Sequence, residues 1–296
     1  MVKRTLFFSH AVCLSVKHKQ LAIFNKETQE ETLVPIEDIG FVIVENALVS
    51  LTIPLINELT DNNCALIFCN EKHLPFSMTM PLDCNETQSQ LFSAQINAKL
   101  PVKKKCWKQI VEYKIKNQGL VLKKYDLDFT RLVDFSKCVK SGDPTNMESQ
   151  AAKFYWDNLF GKNWCRNRFG DFPNNYLNYG YAILRAATAR ALVGSGLLPT
   201  LGIHHHNKYN AYCLADDLME PYRPFIDDEV IEYISINADE KELGMEFKKK
   251  ILKVLTRDVQ MDNMTRPMMV ALSMTSASLA DALSNESEKL KLPDFV

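Results

Sequence analysis

Several enzyme signatures are missing from this sequence. No GxxxxGK[ST] stretch occurs, which excludes a P-loop NTPase in its usual form. GxSxG and HExxH are also absent, which disfavours the common serine hydrolases and zincins. The 8 cysteines include no CxxC pair, so neither a zinc ribbon nor a thioredoxin-type motif is expected. Scattered thiols of this kind read as reduced cysteines of a cytoplasmic protein. No uninterrupted run of about 18 apolar residues is present, so no membrane-spanning helix is expected. There are only 10 Gly and 12 Pro in 296 residues, too few for a loop-rich or fibrous chain, and there is no internal repeat. What remains is an ordinary globular composition, 46% hydrophobic and 24% charged, long enough for one large domain or two modest ones.

The net charge of −1 conceals an asymmetry. Residues 97–125 carry 9 Lys and one Glu, for +8, whereas 1–96 sum to −5 and 126–296 to −4. A short basic segment between acidic halves is a candidate footprint for a polyanion, with a solvated helix face as the plain alternative. At the start, Lys3 and Arg4 precede an apolar stretch that faintly imitates a signal peptide. Ser9 and His10 interrupt it, and no small-residue cleavage site follows before Lys17, so two short strands are expected there.

The pattern divides into two parts. Runs rich in β-branched and aromatic residues recur at 5–10, 12–16, 21–25, 32–36, 41–45 and 64–69, separated by turn-like or charged residues, with a short helix over 50–59. Pro75, Pro81 and a polar run over 86–90 mark a boundary. Helical spacing then takes over: 88–118 broken at Pro101, with lysines 103, 104, 105, 108, 114 and 116 on its outside; 145–160; 173–195, apolar all round and hence central; 225–236; 240–258; and 264–284. The charged tail beyond Asn285 is expected to fray. The fold class is α+β, with a small β-rich domain over 1–80, a linker over 81–90 and a larger all-α domain over 91–296.

The chemistry concentrates in 201–223. His204, His205 and His206 are half of the chain's histidines, and Asp216, Asp217 and Glu220 follow closely. Neutral imidazole and carboxylate together are metal-ligand chemistry. On one helix Asp217 and Glu220 would share a face. Three consecutive histidines cannot all face one ion, so one or two at most would ligate. Glu148 lies near the start of the 145–160 helix beside its apolar stripe of Met147, Ala151, Phe154 and Tyr155, either with its head in water or aimed into a cleft between helices.

These residues carry a resemblance. The Glu148 helix, the Gly-Ile-His-His run at 202–205 and the Leu-Ala-Asp-Asp-Leu-Met-Glu-Pro-Tyr-Arg-Pro run at 214–224 resemble the CRISPR-associated integrase, the universal adaptation nuclease of CRISPR–Cas systems. The forms of 173–186 and 199–224 resemble its type II branch. The resemblance implies a metal triad of Glu148, His205 and Glu220, with His204 as the alternative register for the histidine and Asp217 beside the site. It implies Mg²⁺ or Mn²⁺, a mixed imidazole and oxygen shell suiting Mn²⁺ well. It further implies spacer insertion into a CRISPR array by 3′-hydroxyl transesterification on double-stranded DNA, and a homodimer formed through the β domains. A small ferredoxin-like second adaptation subunit would bridge two dimers, and the type II effector nuclease and an accessory ring protein would assist. Lys103, Lys104, Lys105, Arg185, Arg223 and the lysines at 248–250 are candidate phosphate contacts. The alternatives are a catalytically silent DNA-binding scaffold and a metal-dependent hydrolase of a small substrate.

Overall fold

The computed structural model describes residues 3–81, 83, 85–162, 164–284 and 287–295. The chain divides into two compact units, Met1–Asp83 and Cys84–Val296.

The first unit contains β1 (Arg4–Phe8), β2 (Val12–Lys17), β3 (Gln20–Asn25), β4 (Glu31–Pro35), β5 (Ile39–Val44), β6 (Ser50–Leu51), α1 (Ile53–Asp61), β7 (Ala65–Cys69) and β8 (Pro75–Met78). They form two mixed sheets, ordered β1-β5-β7-β8 and β4-β3-β2-β6. The β2–β3 register pairs Lys17 with Gln20 across His18 and Lys19, both at positive φ, the geometry of a two-residue hairpin turn. All six residues of β5 are buried, because it lies between two parallel neighbours and is covered on both faces. One core draws Val42 and Leu66 from one sheet, Leu14 and Leu21 from the other, and Leu55 and Leu59 from α1. Thr52 precedes α1 and Pro54 sits in its first turn, where its missing N–H leaves no helical bond unmade. Strand β8 was not foreseen: Pro75, taken above as a boundary, is its first residue on the sheet edge.

The second unit holds α2 (Gln88–Asn97), α3 (Leu100–Lys124), α4 (Thr130–Cys138), α5 (Met147–Phe160), α6 (Asn174–Gly194), α7 (Cys213–Leu218), α8 (Arg223–Ile236), α9 (Met245–Lys253), β9 (Asp258–Met261), β10 (Met264–Pro267) and α10 (Met268–Leu283). Helix α6 is central and packs on α7, α8, α9 and α10. A Cβ on Gly180 would stand 2.5 Å from Ile226 Cγ2, so the close contact of α6 with α8 requires glycine there. None of the helices is long and apolar enough to cross a membrane, among the described residues.

Two expectations are corrected in this unit. The 240–258 and 264–284 stretches are not wholly helical: α9 stops at Lys253, and β9 and β10 form a hairpin turning at Asp262 and Asn263, both at positive φ. The tail from 287 does not fray. Leu290, Leu292 and Phe295 are buried, and Asp294 pairs with Gln260 through both backbone hydrogen bonds. Asn285 itself lies outside the described residues.

Candidate active site

The site begins with a cap. Asp143 turns its carboxylate under the start of α5 and accepts the N–H of Met147 at 2.8 Å and of Glu148 at 2.9 Å. Two first-turn donors are thereby satisfied, and the backbone of Glu148 is held in place.

Glu220 is placed by a break in the chain. Helix α7 ends at Leu218, and Glu220–Tyr222 form a single 3₁₀ turn before α8. Asp217 and Glu220 therefore do not share a helical face as their spacing suggested; each meets a different set of partners. On α3, the buried Asn117 fixes the Glu220 turn, its amide donating to Pro221 O at 2.8 Å and Pro293 O at 3.0 Å. Its Oδ1 accepts the Phe295 N–H, so the tail is tied into the same knot.

Between the two glutamates lies Lys114. Sequence patterning placed it on the outer face of α3, but it is 8% exposed. Its Nζ is 2.6 Å from Glu148 Oε1 and 2.6 Å from Glu220 Oε2. The contact with Glu220 Oε2 is an ion pair that lacks the angle of a hydrogen bond, leaving that buried oxygen without one. Arg223 Nε faces the other oxygen, Glu220 Oε1, at 2.9 Å. Burial alone would lower the Lys114 pKa, but Glu148 and Glu220 outweigh it and hold the ammonium above its ordinary value. For Glu148, burial would raise the pKa, yet Lys114, His205 and Arg223 keep the carboxylate below its usual range.

The histidines are organised by a different carboxylate. Asp217 is fully buried and accepts the backbone N–H groups of Ile203 (2.8 Å), His204 (2.9 Å) and His205 (3.2 Å), while its Oδ1 lies 2.5 Å from His205 Nδ1. A Cβ on Gly202 would fall 2.2 Å from the His205 carbonyl oxygen and 3.0 Å from Asp217 Oδ2. The glycine of the Gly-Ile-His-His run is thus required by the turn that wraps this carboxylate. The hydrogen bond to Asp217 raises the His205 pKa against the opposing effect of burial. His204 stacks on Trp107 at 4.1 Å and 3°, and burial followed by the charge of His205 lowers its pKa. His206 is exposed. Each of the three histidines thus has a different environment.

The remaining candidates are spread out. Arg185, a candidate phosphate contact above, is turned to Asp216 at 2.6 Å. Lys103 lines a groove of about 510 Å³ with His205 and Lys208. Lys104 is exposed, and Lys105 pairs with Glu288. Lys248 is buried over Tyr179, Lys249 pairs with Glu246, and Lys250 with Glu229 and Glu232, so 248–250 is not an open basic patch. Unforeseen in the sequence is another buried carboxylate, Asp227, which accepts hydrogen bonds from Tyr181 and Tyr155. Burial pushes its pKa up to about 7, with the tyrosines opposing. Tyr181 also lies under the Arg223 guanidinium, 4.5 Å from the ring centre. Lys114, Gln118, Tyr181, Glu220, Arg223 and Asp227 share the lining of one cavity of about 560 Å³.

The donor set suits a divalent cation. Both glutamates reach a single point of positive charge, and a buried oxygen of Glu220 is left without a hydrogen bond. With Nδ1 bound to Asp217, His205 keeps Nε2 free for a ligand, the usual carboxylate–histidine arrangement beside a metal. Among the described residues, however, no three His, Cys, Asp or Glu side chains close on a common point.

A mixed β unit followed by a mostly helical unit, which gathers carboxylates, a lysine and an arginine on one cavity, defines the class of protein. The family model described as CRISPR associated protein Cas1 matches residues 6–260. The chain is 35% identical over 299 residues to the CRISPR-associated endonuclease Cas1 of Neisseria meningitidis serogroup C (strain 8013), covering 100% of this chain and 97% of that protein. Among solved structures, a casposase bound to its integration product superposes with a TM-score of 0.78 at 22% identity, over 98% of this chain and 92% of that one. A Cas1 protein from Thermotoga maritima gives 0.77 at 16% identity, over 95% and 97%. The structural likenesses are of fold. The chain belongs to the Cas1 family, the nucleases and integrases of CRISPR adaptation.

Proposed function

We propose that the protein joins short DNA fragments to a CRISPR array by metal-dependent transesterification, with Glu148, His205 and Glu220 holding Mg²⁺ or Mn²⁺. The observation that carries this reading is the convergence of Glu148 and Glu220 on one cationic point at the wall of a cavity. A divalent ion there would neutralise charge at the attacked phosphorus and activate the 3′-hydroxyl. The protein supplies the rest. Asp217 fixes the tautomer and direction of His205, leaving Nε2 for the ion. Arg223 holds Glu220 by its Oε1 and presents a cationic surface to the cavity. Asp143 keeps Glu148 at the head of its helix. No serine or tyrosine nucleophile is needed, because the DNA end itself attacks.

The substrate is double-stranded DNA, both as captured fragment and as repeat array, with the half-buried Lys103 and the exposed Lys104 the candidates for its phosphates. The β-rich unit is the proposed homodimerisation domain. A small ferredoxin-like second adaptation subunit is the proposed bridge between dimers, consistent with the solved Cas6-RT-Cas1–Cas2 complex that shares this fold at a TM-score of 0.73. In a type II setting, the effector nuclease and an accessory ring protein would choose the fragment.

The test is strand transfer. The protein, with and without its small partner, meets a short duplex with free 3′-hydroxyls and a supercoiled plasmid carrying a repeat array, in Mn²⁺, Mg²⁺ or EDTA. Metal-dependent joining, lost in folded Glu148→Ala, His205→Ala and Glu220→Ala variants, is expected. No joining by folded wild-type protein with its partner would leave a silent DNA-binding scaffold.

A further inference from the structure

Lys114 has no place in the three-ligand scheme, yet it occupies the point on which the two glutamates converge. It is a buried ammonium on α3, 2.6 Å from an oxygen of each carboxylate. Two carboxylates this close, one buried and one partly buried, repel one another unless a cation stands between them. In this structure that cation is the lysine. One turn further along α3, Gln118 is 3% exposed and lines the same cavity, and its Oε1 has no hydrogen-bond partner among the described residues. Residues 114 and 118 stand at i and i+4, so they are neighbours on one helix face. An acceptor left empty within the reach of a flexible four-carbon stem is an alternative seat for the ammonium.

We infer that Lys114 is a displaceable counter-ion: it holds Glu148 and Glu220 together in the absence of metal, and gives way to a divalent cation by turning toward Gln118 and the cavity. This rests on the assignment of Glu148 and Glu220 as ligands. It has two consequences. Metal binding to the wild-type protein is weakened by the need to move a bound ammonium. Once displaced, that charge lies on the cavity wall with Arg223, available to a phosphate oxygen of bound DNA. Lys114 is thus a positioning residue for the empty site and a substrate contact for the loaded one.

The experiment is calorimetric titration of Mn²⁺ into the full chain, stripped with EDTA, together with melting temperatures with and without Mn²⁺. For Lys114→Met the expected result is Mn²⁺ binding tighter than wild type by about fivefold or more. Its melting temperature in EDTA should fall, and Mn²⁺ should raise it by more than in the wild type. Lys114→Arg, which keeps the charge, should bind no tighter than wild type. Gln118→Leu should bind Mn²⁺ about threefold more weakly, with an unchanged melting temperature in EDTA. Lys114→Met binding equal to or weaker than wild type would overturn the inference. If that variant does not fold, Gln118→Leu decides: unaltered affinity overturns the inference. Wild type and Glu220→Gln binding Mn²⁺ alike would instead remove the ion from the glutamates, and with it the functional reading.

Discussion

The two halves of the site are built on opposite plans. Glu148 and Glu220 are held by side chains, through Lys114 and Arg223, so their geometry depends on charge balance. His205 is held by backbone, in a turn wound around the single carboxylate of Asp217. On the metal reading proposed above, the first half would rearrange when a cation entered, because ammonium and carboxylate exchange partners readily. The second half cannot, because three N–H donors fix it. Pairing a yielding half with a rigid one lets a site accept an ion without losing the direction of its imidazole.

The comparison can be broken first at Glu220. Glu220→Ala leaves the buried Lys114 and the partly buried Arg223 without one shared partner, and is expected to cost about 3–5 kcal/mol in urea unfolding. Glu148→Ala should cost less, since that side chain is 21% exposed and water can replace it. If both cost the same, burial does not govern this half. Asp217→Ala should cost about 2–3 kcal/mol by stranding backbone donors, and the His205 ring signals should broaden in NMR as the turn loosens. Unmoved His205 signals would show that the turn holds without its carboxylate.

Gly202→Ala sharpens the same point without touching a charge. The clash with the His205 carbonyl should cost about 1–3 kcal/mol and displace the imidazole. Asp227 offers a pH test from outside both halves. Its folded pKa of about 7 exceeds its unfolded value of 3.8, so the folded state holds a proton that the unfolded chain gives up. Its contribution to stability is full below the unfolded pKa and is lost as pH rises through about 7. The stability of wild type relative to Asp227→Asn should therefore fall by a few kcal/mol, as an order of magnitude, between pH 4 and pH 8. A flat difference would show that Asp227 is ionised throughout. The smallest effect on stability belongs to neutralising Lys103 and Lys104, which should leave melting unchanged while lowering the salt slope of DNA binding by about 2.

Much of this was readable from residue order. Alternation and β-branched runs marked six of the strands in the first unit, and helical spacing placed α5 and α6. The Gly-Ile-His-His and Asp-Asp-Leu-Met-Glu runs located the histidine turn and Glu220. The failures have physical causes. Lys114 was set on the outer face because lysine is ordinarily solvated, although Trp107, Ile110, Val111, Lys114, Gln118 and Val121 follow one helical stripe that is buried. Its spacing was right for the core, and only its charge argued otherwise. The β9–β10 hairpin was missed because β10 was counted into the 264–284 helix and most of β9 fell in the gap before it, although Asp262-Asn263 is a turn dipeptide. The partnership of Lys114 with two glutamates far apart in sequence, and that of Asp227 with Tyr155 and Tyr181, are tertiary facts with no local signature.

Asn117 joins the Glu220 turn to Pro293 and Phe295, so the segment bearing a candidate ligand is braced by residues more than seventy positions later in the chain. During synthesis on the ribosome, α5, α6 and the histidine turn emerge well before that brace. The tail's brace on the Glu220 turn can therefore form only after the 290–295 segment is free of the exit tunnel. A nascent chain cut short at Ser287 is expected to carry both glutamates without holding them in register.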